Sequence, residues 1–165
     1  MDTQITPPSV AGPDSDTSLA ADSNSAAEET FAKAVAALDA GDYQHGANLV
    51  YQAAVQAVRA AAGRLGMPSD TREELKAVVY KLDGFDPEAA WQAYLADPTI
   101  TLDLPLYRGY FSVAESFKEH AEIPLDVQAR DTERYWQPEE YAWFLSPVEE
   151  LIRLLRHNET GAASE

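Results

Sequence analysis

The chain has 165 residues, of which 12 are basic and 28 acidic, so its formal charge at pH 7 is −16, and it contains no cysteine. The missing thiols exclude a disulfide framework, a thiolate zinc site, an iron–sulfur cluster and a cysteine nucleophile. The basic residues are spread along the chain (Arg59, Arg64, Arg72, Lys76, Lys81, Arg130, Arg134) with acids among most of them. That is not the clustered basic face that direct contact with nucleic acid or an anionic membrane requires. The length suits one domain with its own core.

Residues Met1 to Asn24 are rich in Pro, Ser, Thr, Asp and Ala and hold no aromatic or basic residue. Such a segment buries too little apolar surface to offset its ordering entropy, and residues 1–24 are expected to form a disordered acidic tail. Its first eight residues have no basic-then-apolar pattern, so a secretory signal is not expected. No apolar run approaches the ~20 residues needed to span a bilayer. A soluble, cytoplasmic protein is the expectation.

A domain is expected over residues 25–157, followed by a frayed tail over 158–165. Ser25 and Glu28 have capping-box spacing and predict a helix start, with Phe31, Val35 and Leu38 on its buried face. Gly41 ends that helix and Asp42 caps the next. Along this second helix Tyr43, Ala47, Val50, Ala54, Ala57, Ala61 and Leu65 keep a three/four spacing. The stripe is mostly alanine, which lets neighbours approach closely and predicts the central helix of a bundle.

Thr71 and Glu74 form a second capping-box match, opening a helix with Leu75, Val78, Val79 and Leu82. Asp86-Pro87-Glu88 reads as cap, first-turn proline and first-turn acid of a helix carrying Trp91, Tyr94 and Leu95. Thr99 to Leu102 has strand character but no partner run. A helix over Leu106 to Ala121 places Tyr110, Ala114 and Phe117 on one face. Pro124 to Leu145 reads as irregular or helical in short pieces. Ser146-Pro147-Val148-Glu149 announces a last helix burying Val148, Leu151, Ile152 and Leu155. The predicted fold is all-α: an antiparallel bundle of four or more helices with a disordered N-terminal tail.

The phrase from Ala37 to Tyr43 is similar to part of a tetratricopeptide repeat, but nothing like it recurs about 34 residues later. A Gly-Asp-Tyr step at Gly41 to Tyr43 leads into the long helix from Leu49 to Val58, which a Leu-Gly break closes at Leu65-Gly66. A helix like Glu74 to Leu82 follows, then the segments Val113 to His120 and Val148 to Leu155. This order resembles the HEPN-like helical bundles, in particular the PaREP-type branch. The resemblance implies two long closing helices on a long central one. Nuclease members use an Arg and a downstream His with four to six residues between them. Here Arg153 precedes His157 with three residues between, and neither His45 nor His120 has an upstream Arg at that distance, so no catalytic residue is assigned and RNA cleavage is not expected.

Glu115, Glu119 and Glu122 lie near His120, but Glu115 and His120 are five apart on different helix faces, so no metal site and no cofactor are assigned. His45 beside the Asp42 cap reads as a surface residue. The segment holding Tyr135, Trp136, Tyr141 and Trp143 is too dense in aromatic rings for all to face inward, and these four residues are the candidate partner-binding group. The functional expectation is a non-enzymatic HEPN-like module that recognises a protein partner of basic character, with pairing of two copies as a further mode. The competing readings are an acidic mimic of nucleic acid that fills a basic groove, and an enzyme with an atypical HEPN-type site.

Overall fold

The computed structural model describes residues 14–84, 86–99 and 106–157, with the backbone alone for 14–23 and 157. Seven α-helices follow one another: α1 (Asp14–Asp39), α2 (Tyr43–Leu65), α3 (Arg72–Leu82), α4 (Pro87–Ala96), α5 (Leu106–Glu122), α6 (Leu125–Arg130) and α7 (Leu145–His157). A 3-10 helix (Pro138–Phe144) leads directly into α7. Among the described residues there is no strand. The all-α bundle is therefore what the periodicity predicted.

α2 is the axis. It packs against α1, α5, α7 and α3, and its buried positions (among them Ala47, Val50, Ala53, Ala57, Val58 and Ala62) extend around much of its circumference. A helix apolar nearly all round belongs inside. Small side chains let its neighbours come close, most tightly at Gly46, where a Cβ would sit 2.7 Å from the Leu38 side chain. Gly66 ends α2 at φ +64, donating to the carbonyls of Ala62 and Gly63. That left-handed conformation is cheap for glycine and strained for other residues.

The start of α1 differs from expectation. The helix begins at Asp14 and passes straight through Ser25, so Ser25 caps nothing, and Glu28 instead forms an ion pair with Arg156 of α7 at 2.7 Å. The buried line is Ala27, Ala34 and Leu38 together with Asn24, while Phe31 packs half-buried at the margin. Alanine takes the deepest positions because α2 presents alanine opposite it. The rest of the expected N-terminal tail, residues 1–13, and the tail 158–165 lie outside the described residues, as does most of the strand-like stretch after Thr99.

The α3 start is as predicted: the Thr71 hydroxyl accepts from the Glu74 amide at 3.2 Å, and the Glu74 carboxylate accepts from the Thr71 amide at 3.0 Å. Asp86 likewise caps α4, accepting from the amides of Glu88 and Ala89. The cap of α5 comes from far away in sequence. The Asp83 carboxylate at the end of α3 accepts from the amides of Tyr107 and Arg108, each at 2.9 Å. It ties the foot of α5 to the end of α3 and makes α4, none of whose residues is buried, an excursion from the bundle. α7 buries Val148, Leu151, Ile152 and Leu155 against the axis, and Arg64 of α2 donates to the Leu155 carbonyl at 2.9 Å.

Candidate functional site

Three regions carry the residues singled out by sequence. The first is the aromatic segment. Tyr135 and Tyr141 are buried and Trp136 is half-buried, so three of the four candidate partner-binding residues belong to a plug between α5 and the 3-10 helix. Trp136 is stacked on both faces, against His120 (centroids 4.2 Å, planes 16° apart) and Phe144 (4.2 Å, 9°). Phe117 meets its edge at 4.8 Å. Tyr141 joins the same plug through Tyr43 of α2, 5.4 Å away. The four rings do not all face inward, and the one left out is Trp143, 68% exposed.

His120 is the polar hinge of this plug, a role its sequence context does not reveal. It is buried. Its Nδ1 lies 2.7 Å from the Ser116 carbonyl, which only accepts, so Nδ1 carries the hydrogen. Its Nε2 accepts from the Trp136 amide at 2.9 Å. Gln128, also buried, donates to the carbonyls of His120 and Ile123 at 2.7 and 2.8 Å and accepts from the Tyr141 hydroxyl at 2.6 Å. Burial raises the Tyr141 phenol above its ordinary value, and the Gln128 bond partly offsets this. Every polar atom of this chain of contacts is used inward.

The second region is a polar groove of about 460 Å³ between α2, α3 and α5, where Glu115, Glu119 and Glu122 lie with Tyr51, Arg72 and Lys118. Its charges are largely matched within the fold. Glu115 bonds Arg72 at 2.6 Å and lies 3.9 Å from Lys76, Glu119 pairs with Arg134 at 3.7 Å, and Lys118 sits 5.2 Å from the Tyr51 ring centroid. Burial, and then the Glu115 carboxylate, push the Tyr51 phenol up. Among the described residues no group of three His, Cys, Asp or Glu side chains converges as metal ligands. The basic residues are less scattered than their sequence positions suggest, because folding brings Arg72, Lys76, Arg108 and Lys118 along this side of α3 and α5.

The third region is α4. None of its residues is buried. Trp91 and Leu95 are each 55% exposed and Tyr94 43%, and positions i, i+3 and i+4 put them on one face. Trp91 stacks on Tyr94 with centroids 5.8 Å apart. The sequence places these three residues on a helix without saying whether they are covered; Gly84 (φ +64) and the proline at the helix start mark off a short element.

His45 is exposed on the first turn of α2. Arg153 pairs with Glu150 one turn earlier on α7, and the His157 side chain lies outside the described residues. No described helix is long and apolar enough to cross a membrane. Comparison of the chain with family models, with curated proteins and with solved structures finds no match.

Proposed function

We propose that this chain is a non-enzymatic helical module of the HEPN-like kind, which recognises a protein partner through the exposed aromatic face of α4. The observation that carries the reading is an element with a contiguous Trp91, Tyr94 and Leu95 face and no buried residue. A helix of ten residues is marginal in water by itself, and apolar stripes of this kind are what helix-in-groove recognition uses. Trp143 is more exposed but stands alone, and single exposed apolar residues are ordinary.

The charges around the stripe are acidic: Asp86, Glu88 and Asp97. Hydrogen bonds from the Thr99 hydroxyl and amide hold the Asp97 carboxyl below its usual range. A matching partner therefore offers an apolar groove with a basic rim. A non-enzymatic role accords with His120, whose ring nitrogens are both engaged inside the plug. The HEPN-like likeness rests on the order of helices, a long α2 flanked by the closing pair α5 and α7.

Replacing Trp91 and Leu95 together by Ala tests this. Capture of the partner in pull-downs should fall by about 30-fold or more, the scale of an interface anchor, with the melting temperature nearly unchanged. Equal capture by wild type and the double variant would sink the reading.

A further inference from the structure

The same molecule that presents an exposed tryptophan also presents a hollow of the right size and chemistry to receive one. Between α3 and α5 lies a second, smaller hollow of about 190 Å³, with Lys76, Val79, Tyr80, Arg108, Phe111 and Ser112 among its lining residues. Sites for small molecules run from roughly 300 Å³ upward, so this one suits a single side chain. Val79 and Phe111 are buried members of the core and form an apolar floor. Arg108 lies 4.9 Å from the Tyr80 ring centroid, an arrangement of guanidinium and aromatic face that favours an incoming indole. Two bases, Lys76 and Arg108, stand at the rim against one acid, Glu115, which is bonded to Arg72 and lies 3.9 Å from Lys76, so the balance of the rim is basic.

The α4 face is complementary on each count. Trp91 supplies the ring, Tyr94 and Leu95 cover the surrounding surface, and Asp86, Glu88 and Asp97 bring negative charge to a basic rim. Within one chain Trp91 is packed on Tyr94 and remains 55% exposed rather than filling the hollow.

The two parts also lie close together. Asp83, where the excursion leaves α3, is bonded to the amide of Arg108, a residue of the rim. A knob and a hole whose elements are rooted at the same end of α3 can be engaged reciprocally about one two-fold axis, which closes the assembly as a dimer and avoids a filament.

We infer that two copies of this chain pair by exchanging α4, each inserting Trp91 into the hollow between α3 and α5 of the other. This rests on the reading of α4 as a recognition element and names a second copy as its occupant.

Sedimentation of the full chain over a range of concentrations is the test, with two variants that each spoil one half of the contact. Trp91→Ala removes the knob and leaves the hollow. Arg108→Glu puts an acid on the rim at an exposed position and leaves the knob. Wild type should show a reversible monomer–dimer equilibrium, and each variant alone should lose about 30-fold or more in association constant at unchanged melting temperature. A mixture of the two variants retains one intact contact per pair, so it should form heterodimer more readily than either variant forms homodimer. A wild type that stays monomeric at millimolar concentration overturns the inference, as does a dimer indifferent to both variants or a mixture no better than its components. If the wild type is monomeric and Trp91 is still needed to capture another protein, exchange fails and the recognition role stands. If Trp91→Ala changes neither property, both fail.

Discussion

Trp136 is held on both faces, by an imidazole and a phenyl ring, and its amide is hydrogen-bonded to that same imidazole. Removing the indole leaves a cavity between His120 and Phe144 and exposes the ring nitrogen chain behind it. Trp136→Ala should therefore cost about 3 kcal/mol or more of folding stability, read as a shifted denaturant midpoint. Trp143 lies one residue from Phe144 and is 68% exposed, so Trp143→Ala should stay within about 0.5 kcal/mol of wild type. Equal losses at the two positions would mean that the plug is not the packed unit described above. Rings close together in sequence thus divide sharply by contact: Trp136 is stacked inside the plug and Trp143 is left outside it.

At the scale of the element, α5 begins with a cap that its own sequence does not supply. The Asp83 carboxylate takes two amides of the first turn and brings negative charge to the positive end of the helix. Asp83→Ala should destabilise the domain by about 1–2 kcal/mol, the usual range for loss of an N-cap acceptor, and hydrogen exchange should quicken at the first turn of α5. Ordinary exchange there in the variant would show that the cap contributes little. The consequence reaches α4, because the cap closes the base of the excursion on which Trp91 is displayed. Loosening that base should also weaken any binding through α4, while the α1–α2 pair keeps its protection.

The whole molecule combines a core built around α2 with a surface charge of −16. Ion pairs such as Arg156–Glu28 and Arg72–Glu115 tie separate helices together, but exposed pairs contribute little each. Alkaline pH tests core and charge together. Tyr51 and Tyr141 have phenols raised above the ordinary tyrosine value, chiefly by burial. For a group whose folded value is raised, the unfolded chain ionises first. The stabilising contribution is complete below the ordinary range near 10 and is lost as pH climbs through the folded values. The melting temperature should fall as pH rises past about 10, and Tyr141→Phe should flatten that fall while lowering stability at neutral pH through loss of the Gln128 bond. An unchanged alkaline slope in Tyr141→Phe would assign the fall to Tyr51 and net charge instead.

The all-α class, the central place of the alanine-striped α2, and the starts of α3 and α4 were legible in the chain, because they depend on local spacing. A three/four apolar repeat, a Thr-x-x-Glu box and an Asp-Pro pair act within a turn or two of themselves. The Ser25–Glu28 box shows the limit of such signals: the same local pattern lies inside a continuing helix, where Ala27 and Ala34 bury against α2 and Glu28 is drawn to Arg156. Which aromatic rings are core, that His120 is a buried hydrogen-bond partner, and that Arg72, Lys76, Arg108 and Lys118 share one side were decided only by the tertiary structure. Each depends on residues brought together from separate helices. The same holds for α4, whose stripe does not say in sequence whether it is covered. Burial is a property of what lies opposite a residue, and Trp91, Tyr94 and Leu95 are left about half exposed.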